Sequence, residues 1–69
     1  MRKYWYYTFF SKTRTGQRVC CTDSGEFDLY ETTKSLDKVN NERCIITFWH
    51  EISVNQYQNM KEYFENREF

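Results

Sequence analysis

The sequence predicts an α+β domain with the element order ββαβα. Segments rich in aromatic and β-branched residues alternate with two segments of helical periodicity. The chain holds six Phe, six Tyr and two Trp in 69 residues, and rings of this size can build a small core where aliphatic residues are scarce. No linker, repeat, low-complexity segment or proline divides it, so we expect residues 1–69 to form one domain.

The first two strands are predicted to form a hairpin. Residues 3–11 (KYWYYTFFS) are almost all aromatic or β-branched, and both faces of this strand carry rings, which is typical of a central strand. Residues 13–16 predict a turn in which Gly16 supplies conformational freedom. Residues 17–23 then complete the hairpin.

The first helix is predicted to begin at Asp28, with Glu31 three residues later in a variant of the capping box. Asn40 and Asn41 are a plausible left-handed stop. Apolar or β-branched residues recur at helical spacing to give one buried stripe: Leu29, Thr32 or Thr33, Leu36 and Val39.

Residues 43–51 predict the third strand. Ser53 and Gln56 then have the spacing of a capping box, and Ile52 and Tyr57 have that of a hydrophobic staple. The second helix is expected to run to about Arg67 with one apolar stripe: Val54, Tyr57, Met60 and Phe64.

A right-handed crossover between the second and third strands predicts strand order 2-1-3, with every neighbouring pair antiparallel. The parallel alternative, order 1-2-3, would leave the aromatic strand on an edge. We expect both helices to cover one face of the sheet. The other face would then be open to solvent or to a partner.

The open face is the candidate binding surface. On the first strand we expect Trp5, Tyr7 and Phe9 to face the core, although a register shift of one residue would exchange the two sets. Tyr4, Tyr6, Thr8 and Phe10 would then face outward. On the third strand we expect Cys44, Ile46 and Phe48 in the core and the alternating set Arg43, Ile45, Thr47, Trp49 and Glu51 outside. Arg18, Cys20 and Thr22 are expected beside them, and the candidate binding residues are Tyr4, Tyr6, Phe10, Arg18 and Trp49.

Three functions of that face compete. Protein contact, including self-association, suits exposed Tyr, Trp and Arg. Single-stranded nucleic acid could stack on the rings while Lys12, Arg14 and Arg18 hold phosphates. The rings could also serve only to stabilise the sheet through cross-strand pairs. We expect protein contact, because the net charge is zero and the molecule has no overall positive field to attract phosphates.

No catalytic, metal or cofactor site is predicted, and we expect the protein not to be an enzyme. His50 and Glu51 are adjacent on a strand and would face opposite ways, as would Cys20 and Cys21. Cys44 and His50 lie too far apart along the strand for a nucleophile and its base. Three cysteines are an odd number without paired zinc spacing, so we expect reduced thiols in a cytoplasmic protein. No segment predicts a signal peptide or a membrane span.

Two segments resemble those of a group of small bacterial proteins of unknown function. These are Tyr6-Tyr7-Thr8 in the aromatic strand and Glu51-Ile52-Ser53 leading to Gln56-Tyr57 at the second helix. The resemblance implies a ββαβα domain and carries no assigned activity. The adjacent cysteines and the basic hairpin are not matched in that group.

Overall fold

The computed structural model describes residues 2–65. One antiparallel sheet has the strand order β2-β1-β3, so the aromatic strand β1 is central, and the element order is ββαβα, as predicted. The predicted end of the last helix, near Arg67, lies outside the described residues. The elements are β1 (Lys3–Ser11), β2 (Thr15–Thr22), α1 (Leu29–Asn40), β3 (Cys44–Ile52) and α2 (Val54–Glu65).

The hairpin turns two residues earlier than predicted. The Ser11 amide donates to the Arg14 carbonyl oxygen at 2.7 Å, and β2 already begins at Thr15. Gly16 therefore lies within β2 as the register partner of Phe9. Its role is to make room for a ring rather than to turn the chain.

Both helices begin as their caps predict, and α1 also ends as its cap predicts. The Asp28 carboxylate accepts a hydrogen bond from the Glu31 amide at 3.0 Å, and Asn41 takes the left-handed conformation with φ 55°. At α2 the Gln56 amide donates to Ser53 Oγ at 3.2 Å, and the Ser53 amide donates back to Gln56 Oε1 at 3.4 Å. This reciprocal pair is a complete capping box.

The core lies between α1 and one face of the sheet, the face that carries Trp5, Tyr7 and Phe9 (the α1 face). Tyr7, Phe9, Leu36 and Cys44 are its buried residues. The Phe27 ring, in the β2–α1 connection, contacts the rings of both Trp5 and Tyr7, at 5.8 and 5.6 Å between centroids. The inward orientation predicted for Trp5, Tyr7 and Phe9 is therefore confirmed.

The two helices do not share a face of the sheet, which corrects the predicted layering. Tyr57 of α2 packs on Tyr4, with 4.8 Å between ring centroids. Tyr4 precedes Trp5 in a strand without a break in its pairing to β2, so the two side chains point to opposite faces. Hence α2 covers the face of Tyr4, Tyr6, Thr8 and Phe10 (the α2 face), and the sheet lies between the helices.

The second correction is a β-bulge in β3. Thr8 pairs with Phe48 whereas Phe9 pairs with Ile46, so Thr47 is an additional residue opposite β1. An additional residue reverses the alternation of side chains beyond it. Phe48 consequently lies on the α2 face and Trp49 on the α1 face, the reverse of the prediction.

Candidate functional site

The predicted site residues on β1 lie on the α2 face, but α2 covers part of that face. Tyr4 is half-buried against Tyr57. Tyr6 is also half-buried, and its hydroxyl donates to Gln17 Oε1 on β2 at 2.6 Å. Tyr4 therefore packs between the sheet and α2, Tyr6 is hydrogen-bonded to β2, and both rings offer a partner only part of their surface.

The part of the α2 face next to β3 is uncovered and apolar. Phe10 is 42% exposed, Ile45 is 58% exposed and Phe48 is 50% exposed. Phe10 and Ile45 are register partners, and Phe48 pairs with Thr8 two positions along β1, so the three side chains lie on one surface. We call Phe10, Ile45 and Phe48 the β3 patch.

Polar side chains border the β3 patch without covering it. Thr8 and Thr47 share a hydrogen bond of 2.8 Å between their hydroxyl oxygens. The His50 ring is stacked on Phe48 with 6.3 Å between centroids and 17° between planes. An apolar centre with hydrogen-bonding groups at its margin is the usual anatomy of a protein-binding surface.

Trp49 is not on the surface where the sequence placed it. It is the register partner of Tyr7, and its ring is stacked on Phe27 at 5.3 Å with 15° between planes. The side chain is still 43% exposed, so it forms the outer margin of the core on the α1 face. The bulge at Thr47 is the reason for this displacement.

Arg18 also lies on the α1 face, because its register partner is Tyr7. Cys20 and Thr22 share that face with it as the partners of Trp5 and Lys3. Arg18 is exposed at the free edge of the sheet, far from the β3 patch, which lies beyond β1. The structure thus divides the five predicted binding residues: Tyr4, Tyr6 and Phe10 on the α2 face, Arg18 and Trp49 on the α1 face.

Sequence alternation missed Phe48 as a surface residue. Ile45 was correctly expected on the side of Phe10, because it precedes the bulge. Phe48 follows the bulge, and no glycine or other residue at 46–48 marks an additional residue in the strand. The one available signal was indirect: Phe48 and Trp49 are both large and apolar, so either could be turned outward.

The thiols offer no catalytic arrangement. Cys20 packs against the core on the α1 face, and burial raises the pKa of its thiol to about 11. Cys44 is buried, and desolvation likewise raises its pKa. Cys21 is exposed on the opposite face from Cys20. A thiol nucleophile requires a lowered pKa, which neither Cys20 nor Cys44 has.

His50 and Glu51 point to opposite faces, as their pairing with Tyr6 and Trp5 requires. Among residues 2–65 no group of three or more His, Cys, Asp or Glu side chains could hold a metal ion. Neither described helix is long and apolar enough to cross a lipid bilayer.

No protein-family model, curated protein or solved structure matches this chain.

Proposed function

We propose that this protein is a non-catalytic interaction domain that binds another protein through the β3 patch. The observation that carries the proposal is the exposure of Phe10, Ile45 and Phe48 on the half of the α2 face that α2 leaves uncovered. Contiguous apolar surface of this kind is rare on small monomeric proteins and marks interaction sites.

The character of the patch favours a partner that contacts side chains. Thr47 interrupts the regular ladder of β3, and a bulge makes an edge strand a poor template for a further strand. The β3 patch instead presents two phenyl rings and a branched aliphatic side chain on one surface. Such a surface suits an apolar face of a folded partner, either a different protein or a second copy.

Binding of single-stranded nucleic acid has less support. Stacking of bases needs exposed ring faces beside cationic groups. Tyr4 is packed against Tyr57, and Arg18 lies on β2, on the other side of β1 from the β3 patch. Lys12 lines a pocket together with Phe10 and Ile45, but Arg18, on the opposite face of the sheet, cannot join it in one stacking site.

We place the protein in the cytoplasm. Cys20, Cys21 and Cys44 are all unpaired thiols, and Cys21 is exposed. Unpaired thiols persist in reducing compartments.

The proposal is tested with two double variants, each of which removes two exposed apolar side chains. Ile45→Thr with Phe48→Thr removes most of the β3 patch while keeping good strand formers. Tyr30→Gln with Val39→Gln removes exposed apolar side chains from α1, 70% and 65% exposed, and keeps good helix formers. Circular dichroism and melting temperature establish that both variants fold.

Sedimentation equilibrium and affinity capture from the source cells are then compared across the wild type and both variants. We expect self-association or a captured protein to be lost from the β3 variant and kept by the α1 variant. Partners found by capture are purified and titrated directly against the three proteins. A wild type that is monomeric at high concentration and captures the same proteins as the β3 variant would contradict the proposal.

A further inference from the structure

The second candidate surface is the free edge of β2, which lies at the opposite side of the sheet from β3. β2 pairs only with β1, and its register with β1 runs unbroken from Lys3↔Thr22 to Phe10↔Thr15. Unlike β3, it has no bulge. Within residues 2–65 its outer edge has no neighbouring strand, so its outward N–H and C=O groups are available.

This edge forms the floor of a cleft because the helices lie on opposite faces of the sheet. The cleft has a volume of about 980 Å³. Asn40 at the end of α1 lines one side, and Tyr57 and Phe64 of α2 line the other. A strand edge between two walls has the form of the sites that bind an extended peptide as an additional strand.

The lining of the cleft is basic. Among the described residues that line it, Arg14, Arg18 and Lys61 are cations and Glu65 is the one acid. None of the ion pairs formed among the described residues involves these three cations. The Lys61 ammonium lies 5.9 Å from the centroid of the Tyr57 ring. The cleft is thus complementary to a negatively charged occupant.

The same charges disfavour a second copy as the occupant. Antiparallel pairing of β2 with β2 would bring Arg14 and Arg18 of the two copies close to each other, and like charges on neighbouring strands repel. A strand from another chain that carries acidic side chains would instead meet opposite charge at the β2 edge and on the α2 wall while its backbone pairs with β2.

We propose that the β2 cleft binds an extended, acidic segment of another protein as a fourth strand. Main-chain hydrogen bonds to β2 would supply affinity, and Arg14, Arg18 and Lys61 would select for acidic side chains. This site does not involve the β3 patch, so either proposal can fail while the other holds.

The ligand for the test is a capped peptide of alternating glutamate and valine, matched in length to β2. Four comparison ligands separate the sources of affinity: a lysine–valine peptide, two glutamate–valine peptides that are N-methylated along one edge or along the other, and an oligothymidylate. Binding is followed by isothermal titration and by chemical shifts of the β2 amides. We expect only the unmodified acidic peptide, and the same peptide methylated on its outward edge, to bind and to shift those amides.

The variant for the test is Arg14→Gln with Arg18→Gln, and its control is Lys12→Gln with Lys38→Gln, which removes two exposed cations outside the cleft. Loss of two charged contacts should raise the Kd of the peptide by about tenfold or more. A tenfold change in Kd corresponds to about 1.4 kcal/mol of binding free energy. The control should bind as wild type does.

Three outcomes would overturn the proposal. Equal binding of both N-methylated peptides would show that no strand is added to β2. Tighter, salt-sensitive binding of the oligothymidylate would identify the cleft as a nucleic-acid site. If no ligand binds, the β2 edge is not a binding site, and its cations serve to prevent pairing with strands of other chains.

Discussion

The ring of Phe9 lies directly over Gly16 on the neighbouring strand. A Cβ atom at Gly16 would lie 2.6 Å from the ring carbon Cζ and 2.9 Å from Cε1. Phe9 is only 7% exposed, so its ring is held by the core and cannot easily swing aside. The pair explains why a glycine stands inside a strand, where it is otherwise unfavourable.

We therefore expect Gly16→Ala to destabilise the protein by about 1–3 kcal/mol, the usual cost of overpacking. By conformational entropy alone, alanine would stabilise the strand relative to glycine. A loss of stability in Gly16→Ala would therefore identify a steric cause. Urea unfolding measures it. Combining Gly16→Ala with Phe9→Leu should cost less than the sum of the two single changes. If the two changes in unfolding free energy were strictly additive, the ring and the added methyl group would not be in contact.

Leu36 is the most deeply buried residue, at 2% exposure. We expect Leu36→Ala to cost about 2–5 kcal/mol, which is close to the whole stability of a domain of this size. Circular dichroism with and without a stabilising osmolyte measures this loss. Val39, on the same helix and 65% exposed, provides the control, because Val39→Ala should change stability by less than about 0.5 kcal/mol. Equal losses of stability in the two variants would contradict the assignment of Leu36 to the core.

Glu42, in the α1–β3 connection, is hydrogen-bonded to the hairpin turn. Its carboxylate accepts hydrogen bonds from the hydroxyls of Ser11 and Thr13, the latter at 2.7 Å, and these bonds lower its pKa from the ordinary 4.5. A carboxylate with a lowered pKa in the folded state stabilises that state above its ordinary pKa, and the contribution disappears as pH falls through the lowered value. Glu42→Gln should therefore lower the melting temperature at neutral pH.

The difference in melting temperature between Glu42→Gln and wild type should narrow once the pH falls below about 4.5. Glu62→Gln, at an exposed helix position, is the matched control and should show little change at neutral pH. A difference for Glu42→Gln that does not vary with pH would contradict the assigned role of the charge.

The three cysteines should differ sharply in reactivity. With a pKa of about 11, Cys20 is ionised to only about one part in a thousand at pH 8, and Cys44 is buried. Cys21 is exposed. Iodoacetamide should therefore alkylate Cys21 first in the folded protein and all three residues in denaturant, as read by peptide mass spectrometry. Early modification of Cys20 would show that β2 opens readily.

The element order and strand order could be predicted because local signals agree with each other. Asp28, Ser53 and Gln56 cap their helices as their spacing indicates. Rings on both faces of β1 predict its central position. Within α1 the expected stripe was only partly right, since Leu36 is buried while Leu29 and Val39 are exposed. Leu29 and Val39 lie in the first and last turns of α1, at the two ends of the stripe.

The side of the sheet taken by α2 could not be predicted from its own stripe. Tyr57, Met60 and Phe64 form an apolar surface that would fit either face of β1, because both faces carry rings. The clue lay instead in β1 itself: a strand that is apolar on both sides is usually covered on both sides. The candidate binding surface was therefore overestimated at Tyr4 and Tyr6 and underestimated at Phe48.

Thr47 also bears on how this sequence can change in length. Without it, Ile46 and Phe48 would be consecutive while still opposite Phe9 and Thr8, so a chain shortened by that single codon would keep every cross-strand partner. A deletion of Ile45, Ile46 or Phe48 would also close the bulge but would put a neighbouring side chain in place of the deleted one, and a deletion elsewhere in β3 would shift the residues beyond it out of register with β1. Tolerance of deletions in this strand should therefore be confined to the neighbourhood of one position.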